Sequence, residues 1–218
     1  MQSVARIGIF GGTFDPVHRG HLAVARAALR RLKLDRLYFV PAGVPPHKQR
    51  KPRASFRHRF AMLKLATARE PRFAVSRLEA SGVHYSIDTV RRMKRALKAG
   101  DRLFFLIGMD AFRDIATWRE AEALVRECEF VVSVRPGWSL RDVSLTLPPS
   151  LRRSAGCFPR RGRGALKVDG VIIHLLSGVH APVSATQVRA AARGGRPLTK
   201  FVPAPVAEYI KKKRLYRR

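Results

Sequence analysis

Two histidines lie three residues apart at the start of a predicted helix, shortly after a glycine turn. They are His18 and His21, and Gly11 and Gly12 form the turn. Residues three apart share one face of a helix, so both rings can reach the same ligand. Glycines let a phosphate approach the backbone, and the free N–H groups of a helix N-terminus attract anions. The pattern therefore indicates a phosphate site.

The glycine spacing differs from two common phosphate-binding motifs. The segment "GIFGGTFD" lacks the Gly-Lys-Ser/Thr ending of a Walker loop, and Gly8, Gly11 and Gly12 do not fit G-x-G-x-x-G. Two other interpretations stay open. Asp15 and the two histidines offer a carboxylate and two imidazoles, which are common metal ligands. Alternatively, the histidines are packing or capping residues.

The composition is globular, but the charge is unusual. The chain has 218 residues, 46% of them hydrophobic, which suffices for the core of a single domain over residues 1–218. With 44 basic and 15 acidic residues, the net charge is +29. Such an excess favours a polyanionic partner, whether nucleotide, nucleic acid or acidic membrane surface. Arginine outnumbers lysine 33 to 11, so a GC-rich coding sequence offers a second explanation.

Cysteine content and hydropathy bear on the cellular setting. Cys128 and Cys157 are the only cysteines, and they show neither CxxC nor metal-finger spacing. The longest apolar runs are too short to cross a bilayer, and the N-terminus lacks the layout of a secretory signal. These features favour a reducing, cytoplasmic setting.

Short apolar segments alternate with amphipathic ones along most of the chain. Residues 4–10 and 36–42 are the first predicted strands, and residues 20–32 form the first predicted helix. Near-continuous apolar strands are typical of a parallel sheet covered on both faces. The sequence therefore predicts an α/β protein with a doubly wound, mostly parallel sheet, whose ligands bind where strands end and helices begin.

Several boundaries and irregular segments are also predicted. Ser55 and Ser86 are candidate N-caps of later helices, and Gly100 is a candidate helix C-terminus. Residues 138–169 contain "LRRSAGCFPRRGRGALK", which has six basic residues and no clear periodicity. We interpret them as a basic, irregular insertion, and residues 211–218 as a basic C-terminal tail.

The segment "GGTFDPVHRGH" resembles the H-x-G-H signature of the nucleotidyltransferase superfamily, with His18 and His21 as its histidines. The wider phrase is most similar to the bacterial nicotinate-mononucleotide adenylyltransferases. Five further segments match that family in order: "PAGVPPHK", "HYSIDTV", "LIGMDAF", "TW" and "VSATQVR". The resemblance covers nearly the whole chain and implies the Rossmann-like nucleotidyltransferase fold.

The resemblance also implies an activity and a set of site residues. ATP would give its adenylyl group to nicotinate mononucleotide, forming nicotinate adenine dinucleotide and pyrophosphate, with Mg²⁺ carried on the ATP phosphates. The implied catalytic residues are His18, His21, Lys48 and Arg189. The implied ATP-binding residues are Gly11, Gly12, Thr13, Phe14, His18, His21, Gly108, Asp110, Ser184, Thr186 and Arg189. The implied acceptor-binding residues are Lys48, Tyr85, Ser86, Thr89, Asp110 and Trp118.

The implied chemistry needs no base, because the attacking 5′-phosphate is already an anion. Positioning and electrostatic stabilisation should carry catalysis, as in phosphoryl transfer generally. The histidines would donate hydrogen bonds to the phosphoryl oxygens in the transition state. Lys48 would bridge the two substrates, and Arg189 would hold the leaving pyrophosphate.

Two departures from the family pattern affect substrate details. Ala185 replaces the second serine of the last motif, and Arg119 follows Trp118 where some members carry an aromatic residue. Another adenylyl- or cytidylyltransferase stays open as an alternative. A nucleic-acid-binding protein on the same scaffold is another, favoured by the basic "IKKKRLYRR" segment. A homo-oligomer is compatible with the sequence.

Each implied site residue also has a structural alternative. Lys48 lies in a basic run that solvent can accommodate, and Arg189 can face solvent among other arginines. Ser184 and Asp110 can be helix caps. Trp118 on a helical face can belong to the core.

Overall fold

A computed structural model describes residues 4–43, 51–134, 137–152, 156–160, 163–179 and 182–217. Its strands are β1 Arg6–Gly12, β2 Arg36–Pro41, β3 Phe73–Val75, β4 Arg102–Gly108, β5 Glu129–Ser133, β6 Gly156–Arg160, β7 Arg163–Val168 and β8 Val171–Leu176. They form one eight-stranded sheet in the order β3-β2-β1-β4-β5-β8-β7-β6. Every neighbouring pair from β3 to β8 is parallel, and the last two pairs are antiparallel.

Helices cover both faces of this sheet. They are α1 Arg19–Arg31, α2 Phe56–Thr67, α3 Ser86–Arg95, α4 Met109–Phe112, α5 Ala121–Glu127, α6 Leu140–Leu145, α7 Pro149–Arg152, α8 Ala185–Arg193 and α9 Ala204–Lys212. Phe104 and Leu106 of β4 join the core on the side of α1, α2, α8 and α9. Phe105 and Ile107 join the core on the side of α3 to α7. The predicted doubly wound, mostly parallel fold is confirmed.

The predicted helix boundaries hold in part. The Ser55 hydroxyl accepts a hydrogen bond from the backbone N–H of His58, so its role as the N-cap of α2 is confirmed. The prediction for Ser86 is wrong, because Tyr85 already has the extended backbone of an N-cap and α3 begins at Ser86 itself. Gly100 is not the helix end either, because α3 ends at Arg95.

The order of the strands places a ligand crevice at one edge of the sheet. From β1 the chain proceeds through α1 to β2 on one side, whereas β4 pairs with the other side of β1. Such a reversal leaves a crevice outside the carboxyl ends of the two central strands. Here those ends are Gly12 and Gly108.

The segment predicted as an irregular insertion is ordered where the structure describes it, so that prediction is wrong for those residues. Residues 140–145 and 149–152 form the short helices α6 and α7, and residues 156–160 and 163–168 form the antiparallel strands of the β6–β7 hairpin. Strand β7 pairs with β8 and buries Leu166 and Val168 completely. The hairpin therefore extends the sheet as an antiparallel edge.

The segment predicted as a basic C-terminal tail packs against the domain where the structure describes it. Lys211 and Lys212 form the last turn of α9. Beyond it, the N–H of Leu215 donates to the carbonyl of Ile210, at 3.0 Å. Tyr216 is buried. Within the described chain, no helix has the length and hydrophobicity needed to span a membrane.

Candidate active site

The glycine turn lies at the carboxyl end of β1, where the crevice opens. Phe14 has a positive φ of 49°, which folds its ring back toward Gly12. A Cβ at Gly12 would lie only 3.0 Å from that ring. The carbonyl of Gly12 accepts from the N–H of Ala42, which ties the turn to the end of β2. Gly12 is therefore needed for the close turn that the sequence predicted.

The two histidines stack on each other at the start of α1. Their ring centroids are 3.6 Å apart with an interplanar angle of 28°. The backbone N–H of His18 donates to Nδ1 of His21, at 3.2 Å. Because Nδ1 accepts this bond, the other ring nitrogen, Nε2, carries a proton and is a hydrogen-bond donor.

His18 lies deeper than His21. It is 7% exposed, and its Nδ1 is buried without a hydrogen-bond partner among the described residues. Burial lowers the pKa of His18 to about 4, so the ring is neutral at neutral pH. A buried polar atom without a partner is uncommon in a native structure, and it often marks a functional position.

Gly20, between the two histidines, allows two close approaches. A Cβ at this position would lie 3.0 Å from the His18 ring and 3.2 Å from the carbonyl oxygen of Val183. Val183 lies just before α8, so the glycine lets that segment approach α1. This explains in physical terms why a glycine separates the two histidines.

Phe14 supports the histidine pair from inside the protein. Its ring is 2% exposed and makes an edge-to-face contact with His21, with centroids 5.0 Å apart. It also packs against Phe10 and Phe39. The implied ATP contact of Phe14 can therefore involve its backbone only, because the side chain belongs to the core.

Asp15 is committed to the protein interior, which removes support for the metal interpretation. Its carboxylate accepts from the backbone N–H groups of Arg53 and Ala54 and from the hydroxyl of Tyr216. Within the part of the chain that the structure describes, no three His, Cys, Asp or Glu residues are placed to hold a metal ion. The Asp15 carboxylate is thus occupied by donors of the protein itself.

The start of α8 lies beside the turn and contributes Arg189. One terminal guanidinium nitrogen, Nη1, donates to the carbonyl of Asp15 at 2.7 Å, and Nη2 donates to the hydroxyl of Thr186 at 3.1 Å. Ser184 is the N-cap of α8, since its hydroxyl accepts from the N–H of Gln187. The capping alternative for Ser184 is therefore observed. Arg189 retains further N–H groups for a ligand, because a guanidinium has five.

The other wall of the crevice begins at the end of β4. Gly108 is exposed, and a Cβ there would have no atom within 4 Å, so this backbone is open to a ligand. Asp110 follows on the exposed side of α4. Trp118 is partly buried and packs against the core on the α3 side of the sheet. Lys48 lies outside the described residues.

The implied acceptor side is built around the start of α3. Tyr85 is the N-cap, and the guanidinium carbon of Arg119 lies 4.8 Å from the centre of its ring. The arginine that departs from the family pattern therefore stacks on a residue of the implied acceptor set. Thr89 is buried, and its hydroxyl donates to the carboxyl of Glu79 at 2.6 Å. The structure thus gives Thr89 an internal partner.

The sequence analysis did not identify two residues that support the glycine turn. The first is Arg59. It is 1% exposed, and its guanidinium donates to the carbonyls of Thr13, Gly43 and Ala54. Burial lowers its pKa, and the charge of Asp15 partly offsets that effect. Arg59 therefore joins the glycine turn to the end of β2 and the start of α2. The second missed residue is Tyr216, which binds Asp15.

A doubly wound sheet with a glycine turn and a histidine pair at its reversal point defines a nucleotide-binding protein of the Rossmann-like class. The chain belongs to the cytidylyltransferase-like family, whose model matches residues 9–191. It is 39% identical over 213 residues to a protein of Geobacter metallireducens named "Probable nicotinate-nucleotide adenylyltransferase", covering 97% of this chain and 98% of that one. A protein of the same name from Moorella thermoacetica is 37% identical, covering 97% and 92%.

Solved structures agree with the fold. Nicotinic acid mononucleotide adenylyltransferase of Plasmodium falciparum, complexed with NaAD, superposes with a TM-score of 0.72 and 19% identity, covering 98% of each chain. The same enzyme complexed with APC gives a TM-score of 0.71. At this identity the likeness shows the fold alone. The curated relatives confirm the resemblance to nicotinate-mononucleotide adenylyltransferases.

Proposed function

We propose that the protein transfers the adenylyl group of ATP to nicotinate mononucleotide, giving nicotinate adenine dinucleotide and pyrophosphate. The observation that carries the proposal is the stacked histidine pair at the sheet reversal, in a chain that matches nicotinate-nucleotide adenylyltransferases over 97% of its length. The reaction is a step of NAD biosynthesis.

The proposed mechanism relies on donors that are already in place. The acceptor phosphate attacks the α-phosphorus in line, and the bond to the leaving pyrophosphate breaks. Nε2–H of His21 donates to a phosphoryl oxygen as negative charge develops there, and His18 supplies a second, neutral imidazole beside it. Such preorganised donors stabilise a transition state because they need no rearrangement during the reaction.

The remaining roles are assigned to residues around the crevice. The backbone of Gly11, Gly12 and Thr13 receives the ATP phosphates, and Gly108 lets the nucleotide approach β4. Asp110, Ser184 and Thr186 are further ATP contacts. Arg189 binds the leaving pyrophosphate with the N–H groups that Asp15 and Thr186 do not use.

The acceptor nucleotide lies on the opposite side of the crevice. Lys48 draws its phosphate toward ATP, and Tyr85, Ser86 and Trp118 form its pyridine side. Stacking of Arg119 on Tyr85 supports a flat, cationic surface there, which suits the carboxylate of nicotinate. Thr89 supports the acceptor side of the crevice indirectly, through the hydrogen bond that its hydroxyl donates to Glu79.

Mg²⁺ enters as part of the ATP substrate. An ion carried on ATP is held mainly by phosphate oxygens and water. When bound, the ion neutralises phosphate charge. The protein's own contribution is to hold the phosphates against the turn and the histidines.

A coupled assay of pyrophosphate release tests the proposal. Purified protein is incubated with ATP, Mg²⁺ and one acceptor at a time: nicotinate mononucleotide, nicotinamide mononucleotide or phosphopantetheine. We expect the highest kcat/KM with nicotinate mononucleotide. A higher value with phosphopantetheine, or release with none of the three, would overturn the proposal.

Three further expectations rest on the sequence. A role in nucleic-acid binding is supported only by the net charge of +29. Steeply salt-dependent binding of RNA or DNA without nucleotidyl transfer would favour it. A homo-oligomer and a cytoplasmic setting also stay predictions, which light scattering and fractionation of cells can check.

A further inference from the structure

Tyr216 contacts the beginning of the active-site turn from the far end of the chain. Its hydroxyl donates to Oδ1 of Asp15 at 2.7 Å, across 201 residues of sequence. Both side chains are buried, with 8% and 7% of their surfaces exposed. Burial and the neighbouring carboxylate raise the pKa of Tyr216 far above its usual range, so the hydroxyl keeps its proton and remains a donor.

Asp15 is held from several directions. Its carboxylate oxygens also accept from the N–H groups of Arg53 and Ala54, at 2.6 and 3.1 Å. Its carbonyl oxygen accepts from Arg189 at 2.7 Å. Every one of these donors comes from a segment outside the turn. The position of Asp15 is therefore set by the segment before α2, by α8 and by the C-terminal residues.

The backbone around Tyr216 has an unusual conformation that its contacts maintain. Arg214 and Tyr216 have positive φ angles of 50° and 64°, although neither is a glycine. Such angles persist when the surrounding structure determines them. Here Leu215 and Tyr216 pack against the core on the α1 side, and the tyrosine hydroxyl reaches Asp15. The segment thus aims one hydroxyl at one buried carboxylate.

We propose that Tyr216 is a positioning residue for catalysis, which fixes Asp15 and through it the orientation of the glycine turn and the histidine pair. This inference rests on the proposed adenylyl transfer. Asp15 lies one residue after Phe14, whose ring packs on His21, and three residues before His18. A shift of Asp15 therefore moves the turn that receives the phosphates and the rings that donate to them.

The consequence should appear in turnover more than in substrate binding. Misplacement of reacting groups by about 1 Å can cost about 10² in rate. Substrates still find most of their contacts, because Gly108 and the start of α3 are separate from this bond. The hydroxyl of Tyr216 donates to Asp15, so its removal acts on the turn through that carboxylate.

Tyr216→Phe is the direct test, and the chain provides a matched control. The hydroxyl of Tyr209 also joins the C-terminal region to the domain, since it lies 3.0 Å from Nδ1 of His58 on α2. Tyr209→Phe removes a comparable hydroxyl without contacting the turn. We expect Tyr216→Phe to lower kcat about tenfold with KM values within about twofold of wild type. Tyr209→Phe should keep kcat within about twofold at a similar melting temperature.

Asp15→Ala provides a second, independent variant, because it removes the carboxylate that accepts from Tyr216. If Tyr216 acts through Asp15, the double variant Asp15→Ala, Tyr216→Phe should have nearly the kcat of Asp15→Ala alone. Multiplicative losses in the double variant would overturn the inference. Equal kcat for Tyr216→Phe and Tyr209→Phe below their melting temperatures would overturn it as well.

A readout independent of turnover separates this inference from the proposed function. In ¹⁵N-edited NMR spectra, the imidazole resonances of His21 should shift in Tyr216→Phe and stay unchanged in Tyr209→Phe. If wild-type protein lacks adenylyl transfer, the proposed function fails while this structural link can still be observed. Unshifted His21 resonances in Tyr216→Phe would overturn the link itself.

Discussion

Gly20 lies directly against the ring of His18, and the space between them is too small for a methyl group. A Cβ at Gly20 would be 3.0 Å from both Cε1 and Nδ1 of that ring. On the other side, the carbonyl oxygen of Val183 would be 3.2 Å away. Neither the buried ring nor the backbone can move without disturbing the histidine pair.

Gly20→Ala should therefore displace His18 and lower kcat by about 10–10². Steady-state kinetics with ATP and nicotinate mononucleotide measures the loss. Gly194→Ala is the matched control, because its Cβ would meet nothing closer than 3.5 Å. Full activity in Gly20→Ala would mean that the position of the His18 ring is unimportant for turnover.

His21→Ala removes the Nε2–H donor and should lower kcat by about 10²–10³, while ATP affinity changes little. The physical reason is that the donor acts on charge that develops only in the transition state. Pre-steady-state turnover and ATP titration measure the two quantities. His174→Ala serves as a control, since His174 contacts Glu129 in the sheet instead of the turn. Near-normal turnover in His21→Ala would exclude the proposed role.

The lowered pKa of His18 predicts a pH-dependent stability. Above about pH 6.5 the ring is neutral in both folded and unfolded chains, so it has no effect there. As the pH falls toward the folded pKa of about 4, the unfolded chain takes up a proton that the folded chain does not. Lowering the pH from 7.5 to 5 should therefore reduce the free energy of unfolding by roughly 2 kcal/mol because of His18.

Urea unfolding at the two pH values measures this effect against His18→Asn, which cannot titrate. The wild-type protein should lose more stability on acidification than the variant does. All other titrating groups are common to both proteins, so the difference isolates His18. Parallel losses would show that the folded His18 takes up its proton near the ordinary pKa.

Arg59→Lys should destabilise the protein by about 2–4 kcal/mol, because one ammonium cannot serve three separated carbonyls. The carbonyls left without donors belong to the turn and to the segments beside it, so kcat should fall too. Arg57→Lys, an exposed position on the same helix, should change neither property. Chemical denaturation and kinetics of both variants check the difference.

The alternation of apolar and amphipathic segments was sufficient to predict the parallel core of the sheet. Strands such as β4 are apolar on both faces. This local pattern can be recognised in the sequence without knowing which strands are neighbours in the sheet. The β6–β7 hairpin carries no such pattern. Its glycines and its proline have weak strand preference, and the pairing with β8 is a tertiary contact.

At the site, too, residues marked by a local sequence pattern could be predicted, whereas residues placed by tertiary contacts could not. His18, His21 and the glycines could be identified because they lie together in one short segment. Arg59 and Tyr216 could not, because one arginine among 33 and one tyrosine in a basic segment give no local sign of burial. Ser86 was misassigned by a single residue because Tyr85 takes the extended cap conformation without a capping side chain.

The bond between Asp15 and Tyr216 has a consequence for the newly made protein. Synthesis proceeds at about 5–20 residues per second, so roughly 10–40 s separate the emergence of these two residues. During that interval a nascent chain carries both histidines without the tyrosine that secures their loop. We expect chains released before residue 216 to consume ATP poorly, so that full turnover begins only after this residue has emerged and folded onto Asp15.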